Sequence, residues 1–184
     1  MLKIKLDRID LKILLLLQKD ARITNSALAE KVGLSSSPCL ERVRKLEKAK
    51  LINQYRAVLN TERLIQHVHV FMEITLEKHF SQDFVLFEKY ICAMPEVLSC
   101  SLISGDFDYL LRVMAVDVAH LHSISQRMFA AEIGIAKHFT YIALKNVKDT
   151  TEVPLEELLD ARQQTVCTEF DAVCPQGPAA NRGG

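Results

Sequence analysis

The chain has 184 residues, 49% of them hydrophobic and 25% charged, with 23 Lys and Arg against 23 Asp and Glu. This is a globular composition with room for two small domains, and no apolar run is long enough for a bilayer-spanning helix. The zero net charge hides a division: residues 1–60 hold 13 basic and 6 acidic side chains (+7), leaving 10 basic and 17 acidic (−7) in residues 61–184. Such a split points to one part that meets a polyanion and one that does not.

The first predicted helix runs from about Asp7 to Lys19. Its apolar run Ile13 to Leu17 is wider than one inward stripe, which predicts that part of it packs on a partner subunit or a second domain. Leu28, Ala29 and Val32 form the inward stripe of a short second helix. Gly33 ends it, because glycine accepts the left-handed conformation just past a helix end. Leu34 returns to the core and Ser35 is the expected N-cap of a third helix, where Pro38 is tolerated in the first turn. Leu40, Val43 and Leu46 are expected to face inward. The opposite face carries Ser37, Pro38, Glu41, Arg42, Lys45 and Lys48, with Ser36 at the helix start and Arg44 on the flank. A lone basic amphipathic helix is usually just a solvated face. Joined to the turn, the cap and the positive first third of the chain, this one reads as the second helix of a helix-turn-helix. Its side chains would meet phosphates and base edges of double-stranded DNA.

Ile52 to Leu59 alternates loosely and is expected to be a linker strand, followed by a short connection to Gln66. Val68 to Leu76 alternates strictly and predicts a strand. Ser81 to Ala93 has helical spacing (Phe84, Phe87, Ile91) and a serine expected to cap it. Val97 to Ile103 and Tyr109 to Val116 are strands joined by a turn at Ser104-Gly105-Asp106. Val118 to Ala131 is a helix (Leu121, Ile124, Met128), and Phe139 to Lys148 a last strand. The order β-α-β-β-α-β is the ferredoxin-like arrangement, so the fold class is α+β. Leu155 to Val166 is expected to add a helix with Leu155, Leu158 and Leu159 on one face. The remaining tail is rich in turn formers and small residues, and is expected to be disordered.

Chemistry-bearing residues outside these elements are few. Cys39, Cys92, Cys100, Cys167 and Cys174 form no CxxC, and reduced thiols are expected. Cys39, in the recognition helix, reads as a packing residue before an oxidant sensor. His67 and His69 share a face if they start the strand; His120 and His122 have the same spacing. No cysteine or carboxylate cluster completes either pair, so no metal site is expected. Phosphate-binding glycine loops and nucleophile elbows are absent. The segment MLKIKLDRID has no apolar core of a signal peptide, which predicts a cytoplasmic protein.

The run LDRIDLKILLLLQKDARITNSALAEKVGLSSSPCLERVRKLEKAKLINQYRAVLN, from Leu6 to Asn60, closely resembles the N-terminal domain of the Lrp/AsnC (leucine-responsive, feast/famine) transcription factors. Pro95-Glu-Val, Ser104-Gly-Asp-Phe-Asp-Tyr-Leu111 and Thr140 to Lys148 followed by Thr150 to Pro154 are similar to that family's effector (RAM) domain. The resemblance covers about residues 6–155. It implies a winged-type helix-turn-helix domain (1–52), a linker strand and connection (53–66), a ferredoxin-like effector and oligomerisation domain (67–154), and a C-terminal extension (155–184) beyond the usual end of relatives. It also implies an amino-acid effector, no cofactor, and a homodimer, with further assembly to an octamer left open. The effector cleft, at a contact between dimers, would use Ser104, Gly105, Asp106, Asp108, Tyr141 and Ile142, with Leu102 as an apolar wall. The residue-level alternative is that Gly105 and the aspartates merely turn a hairpin. Ala143 is small where relatives often carry a larger β-branched residue. Two alternatives stay open: an enzyme on this architecture, as in sirohaem decarboxylases, and a ligand-independent architectural DNA-binding protein.

Overall fold

Asp7 opens the first helix, α1 (Arg8–Lys19), through a reciprocal capping box. The Asp10 amide donates to Asp7 Oδ1 at 2.8 Å and the Asp7 amide to Asp10 Oδ2 at 3.3 Å. Two more helices follow, α2 (Asn25–Val32) and α3 (Ser36–Lys48). These belong to the first of two compact units in the computed structural model, which describes residues 6–160. That unit holds the residues up to Ala57 and those from Thr150; the second spans Val58–Asp149. The Val153 amide donates to Gln18 Oε1 at 2.8 Å and Gln18 Nε2 donates to the Val153 carbonyl at 3.2 Å, tying the returning chain to α1. A helix begins at residue 155 as expected and is described to residue 160; the rest of the expected helix, and the tail, lie outside the described residues.

The core of the first unit is Ile13, Leu28, Ala29, Val32, Cys39 and Leu46, with Leu14, Leu16, Leu17, Leu34, Val43 and Ile52 packed against it. Most of the broad apolar run of α1 is thus used within its own unit. On α3 the inward stripe is Cys39, Val43 and Leu46 rather than Leu40, Val43 and Leu46. Cys39 is fully buried, whereas Leu40 is 37% exposed. The spacing i, i+4, i+7 tracks one helix face better than repeated steps of three, and residue 40 stands about 100° away from residue 39. The expected strand over 52–59 does not form. Ile52 packs into the helical core, and no described strand pairs with the residues after it. A strand without a ladder partner leaves its amides to solvent and gains nothing over coil.

The second unit contains β1 (Val68–Leu76), α4 (Ser81–Cys92), β2 (Val97–Leu102), β3 (Tyr109–Ala115), α5 (Val118–Ala130) and β4 (Ile135–Ile142). The strands form one antiparallel sheet in the order β2-β3-β1-β4. Val70, Met72, Ile74 and Leu76 of β1 and Tyr109, Leu111 and Val113 of β3 point to one face, as strict alternation dictates. Phe87 and Ile91 of α4 and Leu121, Ile124 and Met128 of α5 close that core. Asp117 caps α5 by accepting from the His120 amide. Ser81 stands at the first helical position of α4 and not at its cap; the cap is Phe80, whose amide donates to Asp83 Oδ2 at 3.1 Å.

β4 starts earlier and stops earlier than its expected span Phe139 to Lys148. Its ladder with β1 runs from Leu76↔Ile135 to Val70↔Ile142, and one further bond joins the Ala143 amide to the His69 carbonyl. β1 ends there, so residues 144–148 have nothing to pair with. The opposite face of the sheet, with Phe71, Phe139 and Tyr141 at 37%, 48% and 50% exposure, is not covered by these helices.

Candidate nucleic-acid interface and ligand surface

The turn between α2 and α3 is built as its residues require. Thr24 caps α2 by accepting from the Ala27 amide at 3.3 Å. Gly33 adopts φ 75°, ψ 34°, the left-handed region where an L side chain is disfavoured. Its amide and that of Leu34 return to the Glu30 and Ala29 carbonyls. Ser35 occupies the N-cap position of α3, yet its side chain makes no capping bond. Instead Asn25 Nδ2 donates to the Ser36 carbonyl at 2.8 Å, joining the starts of the two helices.

Ser36, Ser37, Glu41, Arg44, Lys45 and Lys48 are solvent-exposed on α3, and Pro38 is half-buried. Among the described residues, Arg44, Lys45 and Lys48 make no ion pair. Three uncommitted cations thus line one exposed helix.

Arg42 differs from its expected place among them. Its Nη1 donates to Asp7 Oδ2 at 2.6 Å and to Asp10 Oδ1 at 2.7 Å, so it bridges both carboxylates of the α1 capping box. Asp10 is the only charged residue among the buried ones described, at 2% exposure. The Asp10 amide first, and then the Arg42 guanidinium, hold the Asp7 carboxyl below its ordinary 3.8. A residue counted by helical phase as a DNA contact is thereby committed to fixing α3 against α1. The signal available in sequence was the D-x-x-D spacing at the start of the first helix; its arginine partner, 32 residues on from Asp10, carried none.

Cys39 is a packing residue here. Burial pushes its thiol up, and a thiol held neutral is a poor nucleophile.

The residues expected to bind an effector fall into two groups. Leu102, at the end of β2, and Ser104, Gly105 and Asp106, in the following turn, are all exposed. A Cβ at Gly105 would meet no heavy atom within 4 Å. Asp108 is engaged internally: Oδ2 accepts from the Leu76 amide at 2.7 Å, and His79 Nε2 lies 3.0 Å from Oδ1. Its amide also donates to the Ile74 carbonyl, so Asp108 closes the hairpin onto the end of β1. Tyr141 and Ile142 are on β4, the opposite edge strand. Register separates the groups further: Leu102 aligns through Tyr109 with Ile74, whereas Ile142 aligns with Val70. Three strand spacings of about 4.8 Å lie between the two edges, so one chain does not bring the groups together. Tyr141 reaches inward over the exposed sheet face, and its hydroxyl donates to Glu73 Oε2 at 3.3 Å.

A three-helix unit with an exposed cationic third helix, followed by a ferredoxin-like unit, is the make-up of two-domain DNA-binding regulators. The winged helix-turn-helix DNA-binding family matches residues 6–53, and the Lrp/AsnC ligand binding domain family matches residues 69–153. The transcriptional regulatory protein DoeX of Halomonas elongata is 44% identical over 144 residues, covering 78% of this chain and 91% of that protein. Among solved structures, an AsnC family regulator from Agrobacterium tumefaciens superposes with a TM-score of 0.78 at 37% identity, covering 83% of this chain and 99% of its own. A Neisseria meningitidis transcriptional regulator in complex with L-Met superposes with a TM-score of 0.78 at 34% identity, covering 84% and 99%. The chain belongs to the Lrp/AsnC family of DNA-binding transcriptional regulators. No described helix is long and apolar enough to cross a membrane.

Proposed function

We propose that this regulator reads duplex DNA through Ser36, Ser37, Pro38, Glu41, Arg44, Lys45 and Lys48 of α3, with Arg42 acting on the helix's orientation, and that an amino acid controls it from the cytoplasm. The observation that carries the DNA surface is the exposed, unpaired trio Arg44, Lys45 and Lys48 on a helix held by the turn at Gly33. The measurement is DNA affinity against salt concentration. Each phosphate contact adds about 0.9 to the slope of log affinity on log salt for B-DNA. Lys45→Ala is expected to lower that slope by about one contact and leave thermal stability unchanged. An unaltered slope would remove Lys45 from the interface.

The effector reading rests on the two separated half-sites. Exposed Ser104, Gly105 and Asp106 sit at one end of the sheet, and Leu102, Tyr141 and Ile142 on its two edges. Residues so far apart in one chain serve one ligand only if a second copy supplies the missing half. We infer a homodimer joined through the open sheet face (Phe71, Phe139, Tyr141), with octamers formed where dimers meet. Turn amides at Gly105 suit a carboxylate and the free Asp106 suits an ammonium group. The Neisseria relative's complex with L-Met supports an amino acid as the ligand. Dimerisation would set two α3 helices at successive major grooves, about one helical turn apart. The effector then acts only by binding one arrangement better than another. In a thermal-shift screen of the twenty amino acids, at least one is expected to raise the melting temperature of the wild-type chain, and Asp106→Ala to abolish that rise. Twenty flat responses would discard the effector reading.

A further inference from the structure

His67 and His69 flank Val68, the first residue of β1, within the second unit. Their rings meet edge to face, with centroids 4.9 Å apart and planes at 82°. The two Nε2 atoms are 3.2 Å apart. On the other side of the His67 ring, Nδ1 lies 2.9 Å from the Ile65 carbonyl oxygen. A carbonyl can only accept, so Nδ1 carries the proton and donates, and Nε2 of His67 keeps a free lone pair. That nitrogen accepts from His69 Nε2–H, with Thr61 Oγ1 at 3.4 Å as a further neighbour.

One ring nitrogen hydrogen-bonded to a backbone carbonyl, with the tautomer thereby set, is a feature of metal-ligating histidines, and here the other nitrogen faces that of a second ring. Two imidazole nitrogens on one tetrahedral zinc ion, each at about 2.0–2.1 Å, stand about 3.3 Å from each other. The present 3.2 Å separation already has that spacing. Burial first, then the His67 ring and Arg112, disfavours the charged form of His69 and outweighs Asp149 and Glu62. Among the described residues no group of three or more His, Cys, Asp or Glu converges, so any site here has two protein ligands and an open remainder.

We propose that His67 and His69 chelate one imidazole-preferring divalent transition ion of the zinc, nickel or copper class through their Nε2 atoms, with water filling the remaining positions. The ion takes the place of the proton that His69 Nε2 donates, and that proton moves to Nδ1 of the same ring, which stays neutral. Because His67 lies just before β1 and His69 within it, a loaded site clamps residues 61–67 to the sheet. The sequence spacing alone did not carry this, since nothing in it reveals that Ile65 sets the His67 tautomer.

The experiment is calorimetric titration of Zn2+ and Ni2+ into the full chain without an affinity tag. The wild type is expected to bind one ion per chain that His69→Ala and His67→Gln each weaken by more than about tenfold, the scale on which even outer-shell partners of metal ligands act. His120→Ala, with the same spacing on α5, should bind as the wild type does. All cysteines remain in every variant, so binding by thiols is common to all and cancels. If His69→Ala fails to fold by circular dichroism, His67→Gln, outside the sheet, carries the comparison. Long-range 1H–15N spectra add a second readout: the Nε2 signals of both rings should shift on loading while the His67 Nδ1 proton persists. Equal binding by wild type and His67→Gln, or no binding by the wild type, overturns the proposal.

Discussion

Arg42→Ala is expected to destabilise the helical unit by about 1–3 kcal/mol, the cost of leaving a buried polar group without its partner. The reason lies in Asp10, 2% exposed, which would retain only the Asp7 amide at 3.3 Å once the guanidinium is gone. Asp7 loses its 2.6 Å partner in the same step, but that carboxylate is about half exposed and costs less. DNA affinity should fall as well, through a loosened α3. Its salt slope should stay near the wild-type value, unlike that of Lys45→Ala, because no phosphate contact is removed. Arg42→Lys should recover only part of the stability, since the ammonium is more strongly hydrated and sits on a flexible stem that must be fixed to place one nitrogen between both carboxylates. The folded state holds the Asp7 carboxyl below its ordinary 3.8. Its contribution is therefore complete above that value and disappears as pH falls through the depressed one, so a comparison at neutral pH reads the whole pair. Urea unfolding with binding titrations at several salt concentrations checks both halves. Unchanged stability together with a slope reduced as in Lys45→Ala would return Arg42 to the DNA surface.

Phe87→Ala should cost the ferredoxin-like unit more, about 3–5 kcal/mol, because it removes a large side chain from a closed core. Phe87 is fully buried between α4 and the sheet, with its ring centroid 4.5 Å from that of Tyr109. Tyr109 is anchored separately by its hydroxyl, which donates to Glu88 Oε1 at 2.8 Å, so it cannot swing in to fill the space. The void would remain, and the cost should stand near the top of that range. Phe87→Leu keeps most of the volume and should cost less than about 1.5 kcal/mol. Denaturant unfolding of the two variants gives the comparison; equal, small losses would mean that the core collapses around the missing ring. The proposed ligand surface is on the same sheet, so if it binds an amino acid Phe87→Ala should also blunt that response while Phe87→Leu preserves it.

Much of the molecule is legible from neighbouring residues. Val68 to Leu76 alternates so regularly that its strand was expected with the observed ends. Gly33 marks the turn, and the spacing of Phe87 and Ile91 or Leu121, Ile124 and Met128 marks the covered faces of α4 and α5. These signals depend on backbone periods and on caps, which act over one or two turns of chain. The misplacements have a common origin. Leu40 was assigned inward by a step of three that a helix of 3.6 residues per turn does not keep, and Cys39 fills the core. Residues 52–59 look like a strand but lack a partner, and β4 ends where β1 can no longer pair with it.

By itself the sequence determined the helices and strands of the two units, apart from the strand expected over 52–59, and the helix-turn-helix with its positive charge, because each is written in spacing and composition within short windows. Only the tertiary structure decided what the charged and polar groups do once folded. It sent Arg42 to Asp7 and Asp10, Asp108 to the Leu76 amide and His79, and the His67 ring to Ile65 and His69. It also split the expected effector residues between opposite edges of the sheet. A side chain's partner is set by which distant segments dock within about 3 Å of it, and no local period encodes that distance.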